Sequence, residues 1–338
     1  MRKLFLAITL LLLLPVLVSA AKVVPIQGPF KPYQIRIDES SAYIVEGASI
    51  YIYSLKDFSL QKKFGKKGEG PQEFILPPPG NVEIVIGPDC LLVNSLGKLS
   101  YFTKQGEFKK EIKITTIQGS GVLPLGDGDR FVAISNKFEN NAMYDAIEMF
   151  DADLKRGKEV FRVKSPLQPG KVDIITTARR PLLCTFADKI FFGDPQGEIH
   201  VFDSSGKKRC TISQEYEKIK LSEEHKKRYI LFFKTDPRYK QGWERFKDQL
   251  YFPAFLPVIR DLSVSDEKIY VLTSKNKDKK REFYILDLEG KLIKKVMLPL
   301  PEMNPLELYP YTIKSNKLYQ LIENENLETW ELHITEIE

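Results

Sequence analysis

The feature that most limits the folds open to this chain is a unit that recurs six times. A β-rich run is followed by a second one ending in an aromatic or aliphatic residue, then a turn with Asp or Gly, then a polar outer run. Residues 49–53 begin the series, and the unit returns at 91–93 through Tyr101 and Phe102 to Gly106 and at 130–133 through Met149 and Phe150 to Asp151. It appears again at 189–192 through Phe202 and Asp203 to Gly206, and at 268–272 through Tyr284 and Asp287 to Gly290. A sixth copy starts at 317–319 and runs out at 329–334. Units of three or four strands with a period of about 45 to 50 residues are the sequence signature of a propeller built from four-stranded blades. A single unit leaves its sheet faces bare; radial stacking buries both. The expected fold is therefore an all-β, six-bladed β-propeller over residues 21–338, and a two-sheet sandwich accommodates six similar units poorly.

The sixth copy is one strand short, while Val23, Val24, Pro25 and Ile26 stand unused ahead of the first. Pairing of this segment with 330–334 would close the ring. One stretch breaks the period. Between Gly206 and Gly290, Ser222 can cap a helix from Glu223 to about Lys234, with Glu223 and Glu224 in its first turn. After Pro237, Trp243, Phe246 and Leu250 fall three and four apart, as on one face of a second short helix. This helical insertion, about 222–250 and between blades four and five, is expected to lie over the disc, on the same face as Arg179, Arg180 and Arg260.

The N-terminus reads as an export signal. Arg2 and Lys3 precede an uninterrupted apolar run at 4–14, Pro15 breaks it, and Val18, Ser19 and Ala20 offer small residues for cleavage after Ala20 or Ala21. The run is shorter than the roughly 20 residues that span hydrocarbon, so residues 1–20 read as a signal peptide with no stable membrane insertion after its removal. A secreted or periplasmic location in a bacterial cell envelope is expected. The formal charge is +6, or +4 once Arg2 and Lys3 are subtracted, too small an excess to argue for nucleic acid. Cys90, Cys184 and Cys210 are too few for a disulfide-built fold. They are expected to be free thiols acting as buried small hydrophobes, with Cys184 in the innermost and Cys210 in the outermost strand of blade four.

Phe64-Gly-Lys-Lys-Gly-Glu-Gly-Pro-Gln-Glu-Phe74 resembles the Gly-x-Gly-Pro-x-Glu-Phe signature of bacterial exported six-bladed propeller proteins related to NHL-repeat domains. Tyr251-Phe-Pro-Ala-Phe255 and Arg260-Asp261 are similar to the strand and Asp that follow a helical insertion in that group. The resemblance spans nearly the whole of 21–338 and implies the fold and export, without an activity.

No catalytic constellation stands out. The Gly65 to Gly70 stretch lacks Walker spacing and is followed by Pro71, so its glycines are read as a tight inter-blade crossing, with Glu73 capping nearby backbone donors. His200, His225 and His333 share no metal-ligand spacing, and no Gly-x-Ser-x-Gly elbow occurs. Asp151, Asp203 and Asp287 occupy equivalent turn positions, where Asp satisfies backbone donors. No cofactor, catalytic residue or metal ligand is assigned. Arg179 and Arg180 before the first strand of blade four, Arg260 at the matching place in blade five, and Trp243 on the insertion are the candidate ligand-binding residues, suited to a carboxylate or other anion at the channel mouth. The function expected is that of an exported binding or interaction module for a small-molecule, glycan or protein ligand. The alternative is a lactonase-like or lyase-like propeller enzyme with an axial metal.

Overall fold

A computed structural model describes residues 22–70, 72–77, 80–114, 121–165, 172–173 and 182–337. The segment read as a signal peptide, together with Pro71, Arg179 and Arg180, lies outside the described residues.

Six four-stranded antiparallel sheets form a ring. Their innermost strands are Gln34–Ile37, Glu83–Ile86, Leu123–Leu125, Leu182–Phe186, Ile259–Ser265 and Tyr311–Lys314, in blade order. In each blade the two central strands are the most apolar, because both their faces meet neighbouring blades. Leu91–Ser95 and Lys98–Phe102, for example, are buried at every position. The outer strands face solvent on one side and alternate accordingly, as Leu292–Pro299 does.

Six buried clusters fill the wedges between adjacent blades. The wedge between blades six and one joins Ile35, Ile44 and Tyr53 to Leu321, Trp330 and Leu332. Between blades four and five, Phe191, Ile199 and Val201 meet Ile269, Val271 and Leu286. The expected seam is present: Lys22–Ile26 is the outermost strand of blade six, paired antiparallel with Thr329–Glu336 in a register that sets Val24 opposite Leu332 and Ile26 opposite Trp330. The Trp330 indole Nε1 donates to the Phe30 carbonyl at 2.8 Å, fastening the chain just before it enters blade one.

The repeated turns behave as their composition predicts. Asp203 Oδ1 accepts from the backbone N–H groups of Ser205 and Lys207 at 2.8 and 3.0 Å, and Asp287 Oδ1 accepts from Glu289 and Lys291 at 3.1 and 2.8 Å. Asp151 does the same for Asp153 and Lys155. Gly206 and Gly290 follow with φ of 79° and 89°, a region open to glycine at little steric cost. Both also touch the blade before: a Cβ on Gly206 would lie 2.9 Å from Val160 Cγ2, and one on Gly290 would lie 2.6 Å from Ile212 Cγ1.

The glycine-rich crossing after blade one is likewise structural. Lys66–Lys67 pairs in parallel with Glu73–Phe74, Glu73 Oε2 accepts from the Gly70 N–H at 2.9 Å, and the Phe74 ring is buried in the wedge between blades one and two. The thiols depart from expectation in one respect. All three are free and Cys184 and Cys210 occupy the inner and outer strands of blade four, but Cys210 is exposed and the other two are half-buried. Cys210 lies on the solvent side of an edge strand, so it does no core packing.

The insertion leaves blade four after Ile212 and rejoins at Ile259. Its first helix, α1 (Glu223–Thr235), is capped by Ser222, whose Oγ accepts from the His225 N–H while the His225 ring returns the bond to the Ser222 N–H. The second, α2 (Trp243–Phe246), is shorter than the spacing suggested. A 3₁₀ turn, Lys247–Gln249, follows it, and Leu250–Tyr251 pairs in parallel with Val172–Asp173 instead of continuing the helix. Trp243, Phe246 and Leu250 still share one apolar cluster with Tyr229 and Phe233 of α1.

Candidate functional site

The inner strands of all six blades surround an axial cavity of about 510 Å3. The strands that line it alternate residues buried in the wedges, such as Ile35, Leu262 and Ile313, with half-buried polar ones such as Arg36, Ser263 and Thr312. At one mouth stand Tyr229 of α1, Leu256, and the loop from Pro305 to Pro310 that connects blade five to blade six. The insertion and Arg260 therefore share a face, since Tyr229 and Arg260 border the same cavity.

Arg260 is the second residue of the inner strand Ile259–Ser265, not the residue just before it as expected, and it stands at an irregularity. Ile259 pairs with Thr273 and Asp261 with Leu272, so Arg260 is the extra residue of a β-bulge. Bulges re-aim side chains, and this one lets both Arg260 and its neighbour Asp261 border the cavity. The Asp261 carboxylate is held by the Tyr311 hydroxyl, which donates to Oδ2 at 2.5 Å, and by the Leu262 N–H at 2.9 Å. Cys184 is half-buried and borders the cavity, and desolvation together with the nearby Asp261 charge pushes its thiol well above the ordinary value. A thiol so shifted is a poor nucleophile.

Arg260 also belongs to a cluster that the sequence did not reveal. Its Nη1 donates to Glu302 Oε1 at 3.5 Å, a long bond. Arg228 of α1 donates to Glu302 Oε2 at 2.9 Å. Arg281, from blade five and only 3 % exposed, donates through Nη2 to Glu302 Oε1 and through Nε to the Leu300 carbonyl at 3.2 Å. Burial alone would raise the Glu302 carboxyl, but the guanidinium groups of Arg281, Arg228 and Arg260 outweigh it and hold the group below its ordinary value. Arg281 gains less from the arrangement. Burial, and repulsion from Arg260, push its guanidinium down. One carboxylate shared among three cations serves itself better than it serves any one of them. A small cleft of about 20 Å3 adjoins the cluster, bounded by His225, Arg228, Asn276 and Glu302, and shares Tyr229 and Arg260 with the axial cavity.

Trp243 is not among the residues that border the axial cavity. Its ring packs edge-on to Phe246 at 5.7 Å, with the Lys234 ammonium 5.5 Å from its centroid, inside the insertion's own cluster. Arg179 and Arg180 lie outside the described residues, and of the two described candidates Arg260 borders the cavity and Trp243 does not.

Among the described residues, Asp194, Glu198 and His200 bring one potential metal-ligand atom each within 4.8 Å of one another. The signal in the chain is an Asp, then Glu and His four and six residues on, the last two on one strand face. Asp194 Oδ1 accepts from the N–H groups of Gln196 and Glu198 at 2.9 Å each, and Oδ2 lies 3.0 Å from His200 Nε2. His200 Nδ1 is 3.3 Å from Thr211 Oγ1, and the ring packs on Phe161. These bonds shape a hairpin turn and fix the imidazole, and the group does not border the axial cavity.

No protein-family profile and no curated protein matches the chain. Among solved structures, a protein of Bacteroides fragilis assigned as exported is similar over 93% of this chain and 94% of its own, with a TM-score of 0.53 and 13% identity. At that identity the likeness is one of fold, and it supports the six-bladed ring. The BBS1N domain, solved with ARL6DN, covers 87% of this chain and 74% of its own at a TM-score of 0.40 and 12% identity, too distant to carry an argument. Among the described residues no helix is long and apolar enough to cross a membrane.

Proposed function

We propose that this chain is an exported, non-enzymatic binding module that takes a small anionic molecule into its axial cavity beneath the helical insertion. The observation that carries the reading is Arg260: a bulge turns it into the wall of a 510 Å3 cavity, where its bond to Glu302 is 3.5 Å long and leaves most of the guanidinium's donors for a ligand. A cavity of that size falls within the range of small-molecule sites, and polar groups such as Arg36, Arg260, Asp261 and Ser263 in its wall suit orientation of a ligand's functional groups. Arg179 and Arg180, just before the inner strand of blade four, would add positive charge at the same rim, and Trp243 would brace the covering helices.

Export to the periplasm or the exterior follows from the basic, apolar and small-residue order of 1–20, and the Bacteroides neighbour is consistent with it. In this reading residues 1–20 are a removed signal and 21–338 the mature propeller, of the NHL-repeat-like group that the Phe64 to Phe74 motif resembles. This reading includes no nucleic-acid partner and no stable membrane insertion after signal removal.

The test is binding of a panel of organic acids, acidic glycans and neutral sugars, followed by melting temperature and calorimetry. Arg260→Ala should weaken an anionic ligand by about 1 to 3 kcal/mol, the range for a lost charge-assisted hydrogen bond, while leaving neutral ligands and the fold unchanged. Turnover of a lactone, together with a tightly held metal in elemental analysis, would replace this reading with an enzymatic one.

A further inference from the structure

We infer that Arg228, Arg260 and Arg281, gathered around Glu302, form a subsite for a divalent oxyanion group that ties α1 to blades five and six when it binds. The inference rests on the cavity reading above and names the chemistry of one end of its ligand.

The count of donors comes first. Each guanidinium offers five N–H donors and cannot discard its charge. Among the described residues these three make four hydrogen bonds, three to Glu302 and one to the Leu300 carbonyl. Arg281 Nη1 is buried with no partner at all. Buried donors are almost always satisfied, so the orphan marks a cluster short of acceptors; Arg281 itself borders neither the cavity nor the cleft, and Arg228 and Arg260 are the donors that an incoming anion meets.

The count of charge agrees. Three cations face one carboxylate, which leaves a surplus of two positive charges where Arg281 is 3 % exposed and Glu302 side-chain exposure is 19%. Like charges held this close in a partly buried site repel strongly, and an incoming group of about two negative charges relieves that repulsion more than a monovalent one. Guanidinium groups present paired N–H donors that match the oxygens of phosphate, sulfate or carboxylate.

The elements that hold the cluster are built for it. Arg228 sits on α1, which is capped at both ends, by Ser222 and by the Asp236 N–H bonded to the Phe232 carbonyl. Glu302 lies on a connection stiffened by Pro301, Pro305 and Pro310 and by the Asn304 carboxamide, which accepts from the Leu306 and Glu307 N–H groups at 3.0 Å each. Arg260 is fixed by its bulge. Four separate chain segments meet here, and an anion between them would act as a clasp on the insertion.

The probe is inorganic phosphate, with sulfate, acetate and chloride at matched ionic strength, read by calorimetry and by melting temperature on the mature chain. Phosphate and sulfate should bind saturably and raise the melting temperature, with acetate at least tenfold weaker. Arg228→Ala, on a half-exposed side chain that the fold can spare, should weaken phosphate at least tenfold, and so should Arg260→Ala. Glu302→Gln should bind phosphate more tightly than the wild type, since it removes the competing carboxylate. No saturable phosphate effect beyond that of chloride, or an effect unchanged in Arg228→Ala and Arg260→Ala, overturns the subsite; equal affinity for acetate overturns its divalent character. Ser263→Trp, which fills the axial cavity from its wall, separates the two readings. If organic ligands bind and are blocked by Ser263→Trp while phosphate does nothing, the subsite falls alone. If phosphate binds and no organic ligand distinguishes Ser263→Trp from wild type, the cavity reading falls alone.

Discussion

Gly290 approaches Ile212 so closely that a Cβ on the glycine would lie 2.6 Å from Ile212 Cγ1 and 2.6 Å from Cγ2. The two residues belong to adjacent blades, the turn of blade five and the outermost strand of blade four. Gly290→Ala is therefore burdened twice, by a φ of 89° and by a clash in a packed wedge. A loss of about 2 to 5 kcal/mol is expected, from about 1 to 2 for the backbone and about 1 to 3 for overpacking. Gly126→Ala is the control: its φ is 60° but no atom stands within 4 Å of the added carbon, so only the backbone cost should appear. Denaturant midpoints of the two variants provide the comparison.

Removal of residues 22–28 takes away the outermost strand of blade six and the buried Ile26 side chain. The edge of Thr329–Glu336 would then be bare along its length. Thermal unfolding should begin many degrees lower, and the truncated chain should associate through the exposed edge, visible in light scattering. A melting curve like that of the full ring would contradict the seam.

Glu302→Gln leaves buried Arg281 without a countercharge. A destabilisation of about 2 to 4 kcal/mol at neutral pH is expected, somewhat less than for a fully buried pair because Glu302 retains some exposure. The sign of the pH dependence follows from the depressed Glu302 carboxyl. Its contribution is complete above the unfolded value of about 4.3 and is lost as pH falls through the lower folded value. Urea midpoints of wild type and variant should run parallel from pH 5 to 8 and converge on acidification below about 4.

The thiols should react in a fixed order. Cys210 is exposed on an edge strand, whereas Cys184 is half-buried beside the axial cavity and its thiol is raised by desolvation. A thiol reagent at pH 8 should label Cys210 within minutes and Cys184 far more slowly. Any ligand seated in the cavity should slow Cys184 further and leave Cys210 unaffected, which makes the ratio of the two rates an occupancy readout.

The ring was legible because its grammar is local. Central strands such as Leu91–Ser95 must be apolar on both faces, and turns such as that at Asp203 need an acceptor followed by a glycine a few residues on. The Ser222 cap was legible for the same reason. The Arg228, Arg281 and Glu302 cluster had no such signal. Arg281 follows Asp278, Lys279 and Lys280, a run that reads as solvated, and only its register opposite Leu298 buries it. Glu302 sits between Pro301 and Met303 in a connection with no period, and Arg228 is one of several cations on α1. Their meeting depends on the insertion folding back across the disc, which no spacing within any one segment encodes. The bulge at Arg260 was hidden similarly, since a single extra residue leaves the alternation of a strand nearly intact.

The seam also sets the order in which the molecule can be completed. Lys22–Ile26 precedes blades one to five in the chain, yet the strand it pairs with, Thr329–Glu336, follows all of them. The other five blades can each form from neighbouring hairpins, but the sixth waits for both of these strands, and bringing them together closes a loop that holds every other blade. Until then the disc is a split washer with two open sides. Fastening is consequently the slow, final step, and any factor that holds the early strand back delays the ring without disturbing the blades already built.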